Sequence, residues 1–455
     1  MLAFKKSNLE AYTNFLRAKY EAYTGATTVR SYPYYLLIDP ADICQLRCTT
    51  CPTGMDNEVR RIRSSASGTL FRGTRSVMKP ALFDTIIEEV GPYLFFLMLY
   101  NWGEPLLNKS IHEFIKKARA YDIETEIHTN LSLPLSERRI DELLSSGLDS
   151  LTASIDGFSQ EVYQIHRVGG DMELIKKNLE ALASARDRLG LNTRITYKML
   201  VFAHNEHEIP AAEQYCKEIG VRFAYEDAAV PDASWMPKAR REKLPKSFQK
   251  MMDEEPADIA AERERRDILF PDRSGNNTFP DYCSWHYGYS VVTAGGPVAP
   301  CCATPKASDD FGLVSPGETT FADVWNNETF RRVRGALAGA DLSETAGVKT
   351  ICEKCSFPKF VQQLYSFYDA RVLSAFHRQF NQKEPTLEAA FQLLGKTRYG
   401  PAESSQLQEG KFHPMMLVTA GNGDERDMSE FVNFYKDFLA DEPTALNASS
   451  RDPIA

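Results

Sequence analysis

The chain has 455 residues, of which 43% are hydrophobic and 25% charged, a composition ordinary for a soluble protein of two or three domains. Its formal net charge of −9 argues against a nucleic-acid partner held on a broad basic surface. The longest strongly apolar run, residues 93–100, is far shorter than the ~20 residues of a membrane span, and the N-terminus shows no secretory signal. We therefore expect a cytoplasmic protein that binds neither nucleic acid nor a membrane.

Residues 1–33 are predicted to form an N-terminal helical extension, and residues 34–228 alternate short apolar runs with longer amphipathic stretches. The apolar runs predict strands at residues 34–39, 94–100, 124–129, 150–155, 193–200 and 221–226. The amphipathic stretches predict helices at residues 79–90, 110–121, 136–147, 172–190 and 207–220, several closed by glycine. This alternation indicates an α/β fold with a parallel sheet, either doubly wound or a partial barrel, whose ligands lie at the carboxyl ends of the strands.

Three of the nine cysteines lie directly after the first predicted strand. Cys44, Cys48 and Cys51 form a C-x3-C-x2-C arrangement. Structural zinc is almost always closed by four ligands, whereas three thiolates on a four-iron cluster would leave one iron open for a small molecule. The spacing therefore favours an iron–sulfur cluster over zinc.

Polar motifs follow the next three predicted strands. They are NWGEPLLN from Asn101, HTNLS from His128, and SIDG from Ser154, the last of which precedes YQIHRVGG. Taken singly, each has a plain structural explanation: a surface carboxylate at Glu104, a helix cap at Asn130, and an ordinary turn in SIDG. Together with the cysteine loop, in this order, they resemble the radical S-adenosylmethionine (SAM) superfamily over most of residues 34–360.

The resemblance implies a partial (β/α)6 barrel in which Cys44, Cys48 and Cys51 hold a catalytic [4Fe–4S] cluster that binds SAM. NWGE is similar to the family's GGE motif, with Trp102 in place of the first glycine. HTNLS is similar to its T-N-G motif, with Leu131 in place of the glycine. The residues that the resemblance assigns to SAM binding are Gly103, Glu104 and Pro105 (the amino group), Asn130, Ser154 and Arg167 (the carboxylate and ribose), and Asp156 of SIDG.

A second group of cysteines follows a charged, proline-rich segment at residues 229–280, which is predicted to be a linker with helices. Cys283, Gly296 and Cys301 have C-x12-G-x4-C spacing, and Cys352 and Cys355 form a C-x2-C pair. This pattern, with one predicted helix at residues 320–337, resembles the SPASM and twitch domains of some radical SAM enzymes. Residues 281–360 are therefore predicted to form such a small α+β domain, and the resemblance implies that the four cysteines close one auxiliary [4Fe–4S] cluster. A zinc ribbon is the alternative for the same four residues.

No cysteine follows Cys355, which favours a twitch-type domain. Residues 361–455 carry no recognisable motif and are predicted to form a helical C-terminal extension with a loose tail. The C-terminal part of the sequence thus gives no information on the substrate.

The resemblance implies an oxidoreductase of natural product biosynthesis that cleaves SAM to a 5′-deoxyadenosyl radical. Similar twitch enzymes oxidise or epimerise carbinol carbons, so we expect a small polyhydroxylated substrate, such as a sugar or aminocyclitol. The auxiliary cluster would relay an electron, and a flavodoxin or ferredoxin would be the electron donor.

Two alternatives stay open. One is radical SAM modification of a ribosomally made peptide, which is disfavoured because only 43 residues precede Cys44, too few for an added peptide-recognition domain. The other is a non-catalytic, zinc-stabilised binding protein.

Overall fold

The computed structural model describes residues 9–63, 76–227, 233–238, 242, 283, 285–337, 350–354 and 372. Most of the predicted linker at residues 229–280 and nearly all of the predicted extension at residues 361–455 lie outside the described residues. Cys355 lies outside them as well. Within the described part of the chain, no helix has the length and apolar character to cross a membrane.

The described strands form one sheet in the order β6-β5-β4-β3-β2-β1-β7-β8-β9. They are β1 (Tyr35–Ile38), β2 (Phe96–Met98), β3 (Glu124–Thr129), β4 (Ser150–Ser154), β5 (Arg194–Val201), β6 (Arg222–Asp227), β7 (Tyr289–Val292), β8 (Pro297–Ala299) and β9 (Gly312–Leu313). The first six lie side by side in chain order and pair in parallel. Since a doubly wound sheet would reverse its order, this arrangement is the partial barrel, with β6 and β9 as its open edges.

Helices alternate with these strands. They are α1 (Leu9–Thr24), α2 (Pro52–Arg63), α3 (Pro80–Val90), α4 (Ile111–Ala120), α5 (Glu137–Ser145), α6 (Gln160–His166), α7 (Met172–Arg188), α8 (Ile209–Glu218), α9 (Trp285–Gly288), α10 (Phe321–Trp325) and α11 (Glu328–Leu337). Leu36, Ile127 and Leu151 of the strands belong to the same buried core as apolar residues of α3, α4, α5 and α7. Because side chains alternate along a strand, residues such as Glu126 and Thr152 point to the opposite, concave face, which we call the barrel lumen.

Three helices were not predicted from the sequence: α2, α6 and the four-residue α9. Both α2 and α6 border the cysteine loop, and α6 has only seven residues, too few for a clear helical period. Its N-terminus is capped by Ser159, whose Oγ accepts a hydrogen bond from the amide of Val162 at 3.4 Å. A search for the periodic spacing of apolar residues easily misses short capped helices of this kind.

The single helix predicted at residues 320–337 is wrong, since the structure divides it into α10 and α11. The side chain of Asn326 pairs with the backbone of Val29, accepting from its amide at 2.9 Å and donating to its carbonyl at 3.0 Å. Asn327 then caps α11, with its Oδ1 accepting from the amide of Phe330 at 3.0 Å. A contact with a residue almost 300 positions away leaves no trace in the local helical pattern.

The sheet continues across the predicted boundary at residue 281. β7 pairs in parallel with β1, with Leu37 opposite Val291 and Ile38 opposite Val292. β8 and β9 follow in antiparallel hairpins. The second group of cysteines is therefore carried on an extension of the same sheet that carries the first.

Candidate functional site

The cysteine loop between β1 and α2 is held by the backbone on both sides. The amide of Arg47 donates to the carbonyl of Val168 at 2.9 Å, and that of Thr49 donates to the carbonyl of His166 at 3.2 Å. From α2, Asn57 donates through Nδ2 to two carbonyl oxygens of the loop, each at 2.8 Å. The chain itself thus fixes the loop that carries the three thiols.

The three thiols of this loop, Cys48 buried and Cys44 and Cys51 half-buried, form a donor set suited to a cationic cluster. Burial raises the pKa of Cys44 and Cys51 and raises that of Cys48 to about 11. Two side chains reach the sulfurs as donors: Asn130 Nδ2 lies 3.5 Å from Cys44 Sγ, and Arg167 Nη1 lies 4.0 Å from Cys48 Sγ. Since a buried thiolate is costly without a cation beside it, these ligands fit a metal-bound state.

Among the described residues, no three His, Cys, Asp or Glu side chains converge on a single point as the ligands of one metal ion do. A four-iron cluster does not require such convergence, because each thiolate binds a different iron. The loop therefore remains compatible with the predicted cluster.

The backbone after β2 is joined to the backbone after β1. The amides of Trp102 and Gly103 donate to the Asp39 carboxylate at 3.1 and 3.3 Å, and that of Glu104 donates to the carbonyl of Ile43 at 2.8 Å. A Cβ added at Gly103 would lie only 1.6 Å from the carbonyl oxygen of Ala41. This close approach requires glycine at position 103.

The Glu104 carboxylate is 2% exposed and accepts three hydrogen bonds. They come from Thr129 Oγ1 at 2.7 Å, from the amide of Asn130 at 2.8 Å and from the amide of Leu106 at 3.0 Å. Burial raises the pKa of Glu104 in spite of these donors. Pro105, the next residue, is buried in the short turn that follows. Glu104 is thereby fixed at the carboxyl end of the sheet, beside the cysteine loop.

Asn130 connects the end of β3 to the cysteine loop. Its Oδ1 accepts from Gln45 Nε2 at 2.8 Å, while its Nδ2 points to Cys44 Sγ. The next residue, Leu131, has a φ of +52°, a left-handed conformation that is rare for a bulky residue. This is the position at which the resembling motif has glycine, the residue that adopts such a conformation most readily.

Asp156 acts through Arg167. Asp156 is fully buried, and its Oδ2 accepts from Arg167 Nε at 2.6 Å while its Oδ1 accepts from the amide of Leu200 at 2.8 Å. Burial alone would lower the pKa of Arg167, but the charge of Asp156, with Cys48 and Tyr163, outweighs burial and raises it. Arg167 therefore lies, charged, between Asp156 and the Cys48 thiol, and Ser154 ends β4 half-buried on the lumen side.

The structure brings together three of the four cysteines predicted to bind the auxiliary cluster. Burial raises the pKa of Cys301, and the nearby thiols of Cys302, Cys352 and Cys283 raise it further. Nε2 of His286 lies 3.5 Å from Cys352 Sγ, and burial lowers the pKa of His286 to about 3. These three half-buried thiols form a second donor set, and a neutral imidazole lies beside one of them.

Several residues that position the site were missed by sequence reasoning. No sequence motif assigned a role to these residues, yet each forms a hydrogen bond with a residue of the cysteine loop or of a SAM-binding motif. They are Asp39, Gln45, Asn57 and Thr129. The only sequence signal was position, since Asp39 and Thr129 follow directly on apolar strand residues at the functional edge.

Two family models match the chain. The radical SAM superfamily matches residues 38–215, and the iron–sulfur cluster-binding SPASM domain matches residues 283–356. The PqqA peptide cyclase of Xanthomonas euvesicatoria pv. vesicatoria is 23% identical over 333 residues, covering 71% of this chain and 80% of the relative. That of Bradyrhizobium diazoefficiens is 24% identical over 335 residues, covering 71% and 79%. Streptococcus suis SuiB, solved with S-adenosylmethionine, is 15% identical over 74% of each chain, with a TM-score of 0.45.

These matches confirm the predicted α/β partial barrel and the predicted cofactors, SAM and two iron–sulfur clusters. The predicted small polyhydroxylated substrate is wrong, and with it the small-molecule partner and the carbinol oxidation or epimerisation, since the curated relatives are named for a peptide. The error has a physical cause. Cysteine number and spacing indicate how many clusters are bound, but they carry no information on the substrate.

Proposed function

We propose that this chain, which belongs to the radical SAM superfamily and carries a C-terminal SPASM domain, modifies a ribosomally made precursor peptide. The observation that carries this proposal is the match to PqqA peptide cyclases over 79–80% of their own length. The alignment covers 333 residues, which is longer than the radical SAM match at residues 38–215, so the similarity extends beyond the barrel. The likeness thus favours a peptide substrate for the molecule as a whole.

When bound, the reduced cluster and SAM supply a 5′-deoxyadenosyl radical that takes a hydrogen atom from the substrate. Cys44, Cys48 and Cys51 would hold this cluster, with one iron left open for SAM. Cys283, Cys301, Cys352 and Cys355 would hold the auxiliary cluster. A cluster closed by four thiolates has no iron free for the substrate, which suits it to electron transfer.

The other residues of the site orient SAM. Glu104, whose carboxylate is fixed by Thr129 and Asn130, would bind the SAM amino group beside the Gly103–Pro105 backbone. Arg167, held by Asp156, would bind the carboxylate. Asp156 is therefore a positioning residue in this proposal, and Ser154 a contact of the SAM carboxylate or ribose. A rigid set of partners keeps the sulfonium in one geometry and lowers the entropy cost of the reaction.

Co-expression with the short peptides encoded beside its gene tests the proposal. We expect mass spectrometry to find one of these peptides lighter by two hydrogen atoms, the change that an internal cross-link produces. The matched control is the variant Cys44→Ala, Cys48→Ala, Cys51→Ala, which should leave every peptide unchanged. The proposal would be contradicted if the wild-type protein carried its clusters and cleaved SAM but left the mass of every peptide unchanged.

A further inference from the structure

A polar side-chain pair in the barrel lumen has no part in the cofactor sites described above. His128 and Glu126 project from the same face of β3, and His128 Nε2 lies 2.7 Å from Glu126 Oε1. The imidazole also stacks on the ring of Tyr100, with centroids 3.7 Å apart and planes 4° from parallel. From β4, Thr152 donates through Oγ1 to Glu126 Oε1 at 3.3 Å. We call His128, Glu126, Tyr100 and Thr152 the lumen cluster.

The contacts of Glu126 fix which ring nitrogen of His128 carries the proton. Burial alone would raise the pKa of Glu126, but the hydrogen bond from His128, together with the charge of Arg194 and the hydrogen bond from Thr152, helps to lower it below its ordinary value. Glu126 is thus an ionised acceptor, so Nε2 of His128 is the donor. In the neutral imidazole Nδ1 then carries a lone pair, and no described residue donates a hydrogen bond to it.

The lumen cluster lies close to the SAM-binding residues. His128 is two residues before Asn130, a separation of about 7 Å at most along an extended chain, and Asn130 reaches the thiol of Cys44. The imidazole side chain is 13% exposed, so it faces the lumen without being free in solvent. A substrate group that approaches the cysteine loop from the lumen would pass this nitrogen.

We propose that His128, oriented by Glu126, is the catalytic base of the reaction, an inference that rests on the proposed peptide modification. A peptide radical that bonds to a second side chain still holds one unpaired electron. To reach a closed-shell product, a hydrogen of that second side chain must leave as a proton and an electron. The bond to this hydrogen would break and its proton would bond to Nδ1 of His128. The auxiliary iron–sulfur cluster that Cys283, Cys301, Cys352 and Cys355 would hold would, in its oxidised form, be the acceptor of the electron. A base held by a carboxylate is the usual arrangement for such a proton transfer.

The variant His128→Gln separates this role from a structural one. With the precursor peptide that the wild type modifies, the variant should form 5′-deoxyadenosine at nearly the wild-type rate, while cross-linked product falls by about 100-fold or more. Glu126→Gln should reduce product by a smaller factor, and His112→Gln, on α4, should change neither yield. Full product formation by His128→Gln would overturn the proposal, as would equal loss of product and 5′-deoxyadenosine.

A second measurement does not depend on the peptide. A lone pair facing the lumen predicts that diethyl pyrocarbonate modifies His128 in the full-length protein at neutral pH, while the buried His286 stays unreactive. An unreactive His128 would overturn this inference even where a peptide is modified. Conversely, a reactive His128 in a protein that modifies no peptide would count against the proposed function. It would still support an accessible lone pair on Nδ1 of His128.

Discussion

Gly103 lies where the chain after β2 touches the chain after β1, and its hydrogen is the only side chain that this contact admits. In Gly103→Ala the new methyl would collide with the Ala41 carbonyl, a backbone atom that cannot turn aside. We expect SAM to bind at least about tenfold more weakly, equal to about 1.4 kcal/mol, with iron content unchanged. Equilibrium dialysis with labelled SAM measures this.

The control for Gly103→Ala is Gly295→Ala, whose Cβ would meet its nearest atom at an ordinary 3.4 Å. This variant should bind SAM as the wild type does. Equal affinity in both variants would show that the loop after β2 does not position the cofactor.

Asp156 and Arg167 form a buried ion pair whose partners cannot be separated without cost. In Asp156→Asn, Arg167 loses its negative partner, which should lower the free energy of unfolding by about 3–5 kcal/mol. The same change at Asp187, which is exposed and paired with Arg186, should lower it far less. Urea denaturation of the two variants gives the comparison, and similar losses in both would refute the buried-pair interpretation.

At the scale of elements, α6 is joined to the cysteine loop through a neutral histidine. His166 Nδ1 lies 3.0 Å from Thr49 Oγ1, and burial lowers the pKa of His166 to about 4. The unfolded chain, with a histidine pKa near 6.5, therefore takes up a proton that the folded chain refuses. Stability from this group is complete above pH 6.5 and is lost as the pH falls towards 4.

This linkage predicts a difference between the wild type and His166→Gln. Between pH 7.5 and pH 5.5 the wild type should lose about 1 kcal/mol more of its unfolding free energy than the variant does. Denaturant titrations at the two pH values measure it. Parallel losses in both proteins would mean that His166 is not held neutral.

Strands were easier to predict than the contacts that build the site. β3 begins and ends at the predicted residues 124 and 129, because its apolar run and its boundaries are local properties of the chain. The cysteine loop and the Glu104 motif were visible for the same reason. By contrast, Gln45 meets Asn130 across 85 positions, and α6 meets the cysteine loop through backbone atoms that carry no residue identity. Such contacts depend on which strands become neighbours, which no local pattern contains.

At the scale of the whole molecule, one buried arginine joins the second cysteine region to the N-terminal segment. Arg334 of α11 donates to the carbonyl of His286 at 2.7 Å and to that of Thr27 at 3.3 Å, and its guanidinium lies 4.7 Å from the ring centre of Trp325. Trp325 in turn donates to the carbonyl of Ser31 at 2.9 Å. The planar guanidinium, with donors at fixed angles, is what allows one side chain to make these contacts.

Arg334→Lys should therefore not behave as a conservative change. A lysine cannot reproduce the fork, and we expect the unfolding free energy to fall by about 2–3 kcal/mol because a buried carbonyl is left without its donor. Arg331→Lys, on the exposed face of the same helix, should change it by less than about 0.5 kcal/mol. Thermal or urea unfolding measures both. An unchanged unfolding free energy in Arg334→Lys would show that the Arg334 guanidinium does not stabilise the contact between α11 and the N-terminal segment.

The ratio of 5′-deoxyadenosine to cross-linked peptide, made by the reconstituted protein with reductant and SAM, is the most direct test of a radical reaction on a peptide. We expect equal amounts from the wild type. We expect neither product from the protein with Cys44, Cys48 and Cys51 replaced by alanine, which should keep about four irons in its auxiliary cluster. Abundant 5′-deoxyadenosine with every offered peptide intact, or a cysteine loop that holds zinc and cleaves no SAM, would contradict the proposed reaction.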